Sequence, residues 1–168
     1  MNELQKEMLT VQIDSRENKN AEIIAYFQSI GQAFIVSKMY AGDYCNAHHP
    51  TVLIDIKKDV EEVVQNLTKE HERFKREVLR ANDEMKCKLV VLIRVPLPNL
   101  EAVKSYKVRT YSRFHKNKEL RGKPMTAMSM ETLYKIMSTM QQKYNLEWRF
   151  CTRENAGAEI LKILKEGE

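Results

Sequence analysis

The apolar run at residues 87–95, Cys-Lys-Leu-Val-Val-Leu-Ile-Arg-Val, constrains the fold more than any other segment. Apolar side chains occupy consecutive positions, which is typical of a strand that is buried on both faces. Pro96 and Pro98 end the strand, because proline cannot donate to a sheet ladder. A strand of this kind lies in a sheet that other elements cover on both sides. The run therefore predicts the central strand of an α/β fold.

Strands and amphipathic helices alternate along the rest of the chain. Further strands are predicted at residues 11–13, 33–37, 51–56 and 147–151. Helices are predicted from residue 23 to Gly31, from the capping residue Asp59 to about Met85, over residues 130–144, and after the capping residue Thr152. The second helix is predicted to be continuous, with a kink near Thr68 as the alternative. This alternation predicts a single domain over residues 1–168, an α/β sandwich with a central mixed sheet flanked by helices.

Composition excludes several classes of protein. No apolar run approaches the roughly 20 residues that span a bilayer, and residues 1–10 are polar, so neither a membrane anchor nor a signal peptide is predicted. Cys45, Cys87 and Cys151 are far apart and odd in number. They favour reduced thiols in a cytoplasmic protein over a disulfide framework or a zinc site.

Positive charge is concentrated in one segment, residues 104–123. It holds eight of the lysines and arginines against the single acid Glu119, and Tyr106, Tyr111 and Phe114 are interleaved with them. Basic side chains neutralise phosphates and aromatic rings stack on bases, so the segment predicts nucleic-acid binding, with a solvated loop as the alternative. The segment has no assigned secondary structure and is a candidate for mobility. Its predicted contacts to nucleic acid are Lys107, Arg109, Arg113, Lys116, Lys118, Arg121 and Lys123.

Two carboxylates and a lysine occur at the spacing of a metal-dependent nuclease. Asp43 follows the turn-prone Gly42, and Asp55-Ile56-Lys57 begins after eleven intervening residues, at the end of a predicted hairpin strand. Because side chains alternate along a strand, Asp55 and Lys57 lie on one face while Ile56 points into the core. The two aspartates are candidate ligands for Mg²⁺ or Mn²⁺, and Lys57 is the candidate to orient the attacking water.

Together with the first strand, these residues resemble the catalytic domain of the XPF-type structure-specific nucleases, which belong to the PD-(D/E)XK superfamily. Asp14-x-Arg16-Glu17 and Gly42-Asp43 match the first two elements of the family pattern. In the third element Asp55 replaces a glutamate, Ile56 replaces an arginine, and Lys57 is retained. Two further positions match: Glu61 takes a later acidic position, and Arg73 matches an arginine on the next helix.

The resemblance implies a restriction-endonuclease-like fold and a Mg²⁺-dependent DNA endonuclease that cuts branched or single-strand-containing DNA in repair or recombination. It implies that Asp43, Asp55 and Glu17 hold the metal ion and that Asp14 assists them. Arg16 and Arg73 become candidate phosphate contacts, with ion pairs to nearby acids, Glu77 in the case of Arg73, as the alternative.

The resemblance also bears on organisation. It implies a stand-alone domain of bacterial or phage type, without the helix-hairpin-helix module that many XPF-type proteins carry. Such domains commonly pair, so a homodimer is expected from the resemblance alone. The sequence does not show this pairing, because a monomer would bury the apolar face of the last helix against its own sheet.

Two other interpretations remain open. The replacement of the family arginine by Ile56 removes a positive charge, which favours a weakly active or inactive nuclease-fold module that binds DNA or a protein partner. The third interpretation is a generic α/β protein whose acids, such as Asp14 and Glu17, only complement a helix N-terminus. Such a protein would have no affinity for Mg²⁺ or Mn²⁺.

Overall fold

The computed structural model describes residues 9–167 and contains one six-stranded sheet. Its strands are β1 (Val11–Asp14), β2 (Phe34–Ser37), β3 (Tyr44–Asn46), β4 (Val52–Lys57), β5 (Lys88–Ile93) and β6 (Leu146–Phe150). They are arranged in the order β2-β1-β3-β4-β5-β6. β3 pairs antiparallel with β1 and with β4, whereas β1 pairs parallel with β2, and β4, β5 and β6 run parallel. The predicted mixed sheet and the hairpin before β4 are confirmed.

Five α-helices accompany the sheet in the described part of the chain: α1 (Ala21–Ser29), α2 (Val60–Thr68), α3 (His71–Leu79), α4 (Met130–Lys143) and α5 (Ala156–Glu166). The prediction of one continuous helix after Asp59 is wrong, and the alternative of a kink near Thr68 is confirmed, since α2 ends at Thr68 and α3 begins at His71. The Thr68 hydroxyl donates to the Val64 carbonyl at 2.7 Å, and the Glu70 N–H donates to the Gln65 carbonyl at 3.1 Å. These bonds close α2 early. Between residues 9 and 167, no helix has the length and apolar character needed to cross a membrane.

The sheet is covered on both faces, and β5 shows the two sides most clearly. Leu89, Val91 and Ile93 pack on one face, in a core that side chains of α2, α3 and α4 complete. Val90 and Leu92 pack on the opposite face, in a second core that side chains of α1 and α5 complete. All five side chains are buried. Burying an aliphatic side chain of this size stabilises the fold by about 1.5–3 kcal/mol, so β5 anchors both layers.

The alternation of β4 places its polar residues. Ile54 and Ile56 belong to the core beneath α1 and α5, whereas Leu53 belongs to the core beneath α2, α3 and α4. Asp55 and Lys57 therefore emerge on the side of α2 and α3, as the period of two requires. Ile56 packs on the side of the sheet opposite to them. The predicted orientation of these three residues is confirmed.

Gly42 fixes the turn that delivers Asp43, and its conformation and close neighbours both disfavour a side chain. Its φ is +71°, and a Cβ there would lie 3.2 Å from both the Ile54 carbonyl oxygen and the Leu53 Cβ. Gly31 has a φ of +69° with nothing within 4 Å of the corresponding position. The two glycines share a left-handed backbone and differ in their surroundings.

Gly31→Ala should lower the free energy of unfolding by about 1–2 kcal/mol, the cost of a left-handed alanine. Gly42→Ala should cost about 1–3 kcal/mol more, since the added methyl group must also displace β4. Urea unfolding monitored by circular dichroism measures both differences. Equal losses in the two variants would show that the turn adjusts without cost.

Candidate active site

Asp43 is fastened between two strands by hydrogen bonds. Its backbone N–H donates to the Ile54 carbonyl at 2.7 Å, and its carbonyl accepts from the Asp14 N–H at 2.8 Å. Its Oδ2 accepts from the Ile56 N–H at 2.8 Å. The carboxylate is thereby held against β4, beside Asp55. The turn at Gly42 is the reason that Asp43 reaches this position.

Asp55 and Lys57 form a buried ion pair on the same face of β4. Lys57 Nζ lies 2.8 Å from Asp55 Oδ2, and both side chains are almost completely buried. Burial alone would lower the pKa of Lys57, but the attraction of Asp55 outweighs it and raises the pKa. Lys57 is therefore an ammonium at neutral pH. Within residues 9–167, the Lys57 ammonium is the one group that compensates the buried Asp55 Oδ2.

Glu77 of α3 joins the two aspartates, although it was not predicted as a site residue. Its Oε1 accepts from the Gly42 N–H at 3.2 Å, which supports the turn before Asp43. Burial, followed by repulsion from Asp55, raises the pKa of Asp43 and likewise raises the pKa of Glu77. A signal was present in the sequence, because Glu77 follows Phe74 by three residues and precedes Ala81 by four. That spacing places the acid on the buried face of the helix.

Asp14 and Arg16 form a second charged pair at the end of β1. Arg16 Nε and Nη2 lie 2.9 and 2.7 Å from Asp14 Oδ2, and Nη2 also donates to the Met39 carbonyl at 2.9 Å. Burial alone would raise the pKa of Asp14, but the Arg16 guanidinium and the Met39 N–H outweigh it and lower the pKa. Arg16 is thus engaged by an acid. Its contact with phosphate stays a prediction, as does the assisting role of Asp14.

Glu17 borders the same cavity but does not close a three-acid site. Its Oε1 accepts from the Lys19 N–H at 2.7 Å. Across residues 9–167, no three His, Cys, Asp or Glu side chains are arranged to hold a metal ion together. The predicted role of Glu17 as a metal ligand therefore stays a prediction. Arg73 pairs with Glu70 at 3.3 Å, in place of the expected pair with Glu77, and its predicted contact with DNA is likewise untested.

The donor set nevertheless suits a hard divalent cation. Asp43 and Asp55 repel each other, and in the described part of the chain the buried Asp55 Oδ2 is compensated only by the Lys57 ammonium. Mg²⁺ is commonly held in proteins through one or two carboxylates, with water and substrate phosphate oxygens as the other ligands. Asp43, Asp55 and Lys57 line a cavity of about 1060 Å³, which has room for such ligands. The residues present fit this class of metal ion.

The basic segment is anchored beside this cavity by two acids near the start of α2. Glu61 accepts from the Tyr106 hydroxyl at 2.9 Å and from the Arg109 N–H at 2.8 Å. The Arg109 guanidinium contacts both Asp59 and Glu61. Burial and this hydrogen bond raise the pKa of Tyr106 to about 12, so its hydroxyl keeps the donated proton. Arg109, predicted as a phosphate contact, is engaged as an anchor in this structure.

The remainder of the segment forms a loop with a closed base. Tyr111 exchanges backbone hydrogen bonds with Lys123 and Gly122 at 2.9 and 3.0 Å, and the Met125 N–H donates to the Arg109 carbonyl at 2.8 Å. Arg109, Tyr111 and Pro124 line the cavity that holds Asp43 and Asp55. Six cationic residues of the predicted set are exposed on this loop and its approach: Lys107, Arg113, Lys116, Lys118, Arg121 and Lys123. Their contact with nucleic acid stays a prediction.

A mixed sheet that presents an Asp-x-Lys strand beside a second aspartate defines the restriction-endonuclease-like class of α/β domains. The family model of the ERCC4 domain matches residues 13–164, so this chain belongs to the ERCC4 domain family. The resemblance to XPF-type domains is thereby confirmed. A search of the curated proteins found no match.

Two solved structures of XPF from Aeropyrum pernix are similar to this chain. One matches with a TM-score of 0.59 and 14% identity, over 94% of this chain and 60% of the other. The second, a complex with DNA, matches with a TM-score of 0.61 and 16% identity, over 94% of this chain and 64% of the other. The chain therefore spans less than two thirds of these relatives. At such identities the likeness establishes the fold.

Replacing Asp43 with asparagine should stabilise the protein in EDTA at neutral pH. Because burial and Asp55 raise the pKa of Asp43 in the folded state, its contribution is most favourable below the ordinary pKa of 3.8. That contribution is lost as pH rises through the raised pKa. Asp43→Asn should therefore raise the free energy of unfolding by roughly 1–3 kcal/mol near pH 8, and the gain should shrink toward pH 4.

Urea unfolding between pH 4 and pH 8 measures this dependence. The exposed Asp83 supplies the control, since Asp83→Asn removes the same charge away from the buried acids. A variant at residue 43 that is less stable than the wild type throughout the range would contradict the repulsion between Asp43 and Asp55.

Proposed function

We propose that this chain is a metal-dependent DNA endonuclease that cleaves phosphodiester bonds in branched or single-strand-containing DNA. The observation that carries the proposal is the convergence of Asp43 and Asp55 beside the paired Lys57. A divalent ion, Mg²⁺ or Mn²⁺, bound by these aspartates would polarise the scissile phosphate and lower the pKa of a bound water. Asp14 and Glu17 are assigned assisting roles, with Glu17 as a further candidate ligand.

Lys57 acts in this proposal as a fixed positive charge. Its raised pKa keeps it protonated at neutral pH, so it does not serve as the general base. The ammonium is held by Asp55 and can donate to the attacking water and to the oxygen on which negative charge develops. Preorganised donors of this kind stabilise a transition state without reorganising. Glu77 supports the arrangement from α3 by holding the backbone of the Asp43 turn.

Charge and fold both support DNA as the substrate. The base of the loop that carries the exposed cations lines the cavity that holds the two aspartates, so a phosphate backbone bound to these cations would run close to the site. The similar XPF structure from Aeropyrum pernix in complex with DNA adds support. The resemblance extends the proposal to DNA repair or recombination in a bacterium or its phage.

The position of Ile56 argues against the second candidate function, a binding module with little or no nuclease activity. Its side chain packs in the core beneath α1 and α5, on the face opposite to Asp55 and Lys57. An apolar residue suits that position, and Asp55 and Lys57 remain paired on the face that carries the site. The observation that still favours a binding module is the lack of a ready-made three-acid metal cluster within residues 9–167.

Three further assignments complete the proposal: the compartment, the number of domains and the oligomeric state. We assign the protein to the cytoplasm, because Cys45, Cys87 and Cys151 are buried as free thiols. We treat residues 1–168 as one domain. We also propose a homodimer on the basis of the resemblance, and a mass of one chain by light scattering would contradict that assignment.

Cleavage of labelled duplex, flap, splayed and four-way DNA tests the activity. The wild type should cut a branched or single-strand-containing substrate with Mg²⁺ or Mn²⁺ and not with EDTA, and Asp43→Ala and Asp55→Ala should abolish cutting. Lys57→Ala should lower the rate by roughly 10²–10³, as expected when one preorganised donor is lost. Asp83→Ala, at an exposed acid, should cut normally.

The same assay separates the alternatives. Salt-sensitive binding of these substrates without any cleavage would contradict the proposed endonuclease activity and support the binding module. Neither cleavage nor metal affinity would indicate a generic α/β protein.

The salt dependence of DNA binding tests the basic loop. Replacing Arg113, Lys116 and Lys118 with alanine should weaken binding and reduce the slope of log K against log[salt] by about two to three, as expected for three lost phosphate contacts. Fluorescence anisotropy over a range of KCl concentrations measures the slope. The matched control replaces Lys75, Lys135 and Lys143, which border a separate groove between α3 and α4. Equal effects of the two triple variants would show that only net charge matters.

A further inference from the structure

The three aromatic residues of the basic segment differ sharply in their surroundings. Tyr106 is half-buried and its hydroxyl donates to Glu61 at 2.9 Å. Tyr111 is half-buried and its ring lies 5.0 Å from the His115 ring in an edge-on contact. Phe114 is 79% exposed, more than any other large apolar side chain described between residues 9 and 167. Of the three, Phe114 is therefore the one whose ring is mostly exposed and accessible to a planar ligand.

The loop holds Phe114 outward by local contacts. The Phe114 N–H donates to the Ser112 hydroxyl at 3.1 Å, and Arg121 Nε donates to the His115 carbonyl at 2.8 Å. Arg113 Cζ lies 5.2 Å from the centroid of the Phe114 ring. These contacts fix the tip of the loop, while the paired backbone at Tyr111 and Lys123 closes its base.

The chemistry around this ring fits a nucleobase attached to phosphates. Arg113, Lys116 and Lys118 are exposed on the same tip and supply positive charge for phosphate, while the ring supplies an apolar face for a base. In a duplex, the neighbouring pairs cover both faces of each base. Only an unpaired or terminal base can therefore stack on a protein side chain without first breaking the helix.

The position of the loop connects such a contact to the active site. Arg109 and Tyr106 fasten the start of the segment to Glu61, only four residues after Lys57. The base of the loop also lines the cavity that contains Asp43 and Asp55. A base bound at the tip would therefore place the adjoining strand at a set position relative to the aspartates.

We propose that Phe114 is a stacking site for an unpaired nucleobase and that it gives the protein its preference for DNA containing single-stranded segments. The inference rests on the proposed function and adds a specificity-determining residue to it. The phenyl ring discriminates unpaired from paired DNA. The surrounding cations provide affinity for either form.

Binding of two fluorescein-labelled DNAs tests the site in the full chain, one a flap with an unpaired strand and the other a duplex of equal length. Phe114→Ala should weaken flap binding by roughly 5- to 100-fold, the range expected when one stacked base is lost. Its duplex affinity should stay within about twofold, and the salt slope should be unchanged because the ring is uncharged. Phe114→Trp should retain flap binding, and Phe114→Leu should not.

Two controls make the outcome specific. Lys116→Ala, at an exposed cation on the same tip, should weaken flap and duplex binding together and reduce the salt slope by about one. Ile30→Ala, at a half-exposed apolar residue that follows α1, should change nothing. A 2-aminopurine placed in the unpaired strand should be quenched by the wild type and by Phe114→Trp, and not by Phe114→Ala.

The results distinguish this inference from the proposed function. If Phe114→Ala binds the flap as the wild type does, or loses equal affinity for flap and duplex, the stacking site is contradicted. Neither result would contradict the proposed nuclease function. A wild type that binds neither DNA would overturn both.

Discussion

One buried lysine, Lys57, faces three carboxyl groups beside the end of β4 and offsets only part of their repulsion, and the site depends on this shortfall of positive charge. Burial and mutual repulsion raise the pKa of Asp43 and of Glu77, and Lys57 lies 2.8 Å from Asp55 in the same region. Buried charges are tolerated only where opposite charge and hydrogen bonds offset their desolvation. The N–H groups of Ile56 and Gly42 supply such bonds to Asp43 and Glu77. The repulsion that remains destabilises the fold, and a bound cation would relieve it.

A short stretch of chain after β4 links the candidate metal site to the basic loop, which is predicted to bind DNA. Lys57 is the last residue of β4, and Asp59 caps α2 by accepting from the Glu62 N–H at 2.9 Å. Asp59 also contacts Arg109, and Glu61 receives hydrogen bonds from Tyr106 and Arg109. The acids that follow β4 therefore position the basic loop. Glu61 occupies the later acidic position of the family pattern, and here its carboxylate is turned toward this loop.

Structural features that depend on local sequence patterns were predicted correctly. The consecutive apolar residues of β5 predicted a sheet covered on both faces, and the alternation in β4 placed Asp55 and Lys57 together with Ile56 opposite. Contacts between distant residues were not predictable. Arg109 was predicted to contact phosphate. Its partner Glu61 lies 48 positions earlier, so the sequence did not indicate that the two residues meet. The break after α2 was predicted only as an alternative, a kink near Thr68, because the apolar stripe continues into α3. In the structure, the Thr68 hydroxyl and the bond from the Glu70 N–H to the Gln65 carbonyl end α2.

Binding of Mn²⁺ to the protein, followed by electron paramagnetic resonance of the free ion, tests the central claim most directly. We expect saturable binding by the wild type, strong loss of binding in Asp43→Asn and in Asp55→Asn, and unchanged binding in Asp83→Asn. Because the measurement does not depend on cleavage, it isolates the pair of aspartates from the choice of DNA. Equal Mn²⁺ binding by the wild type and both site variants would contradict the claim that these two carboxylates form the metal site.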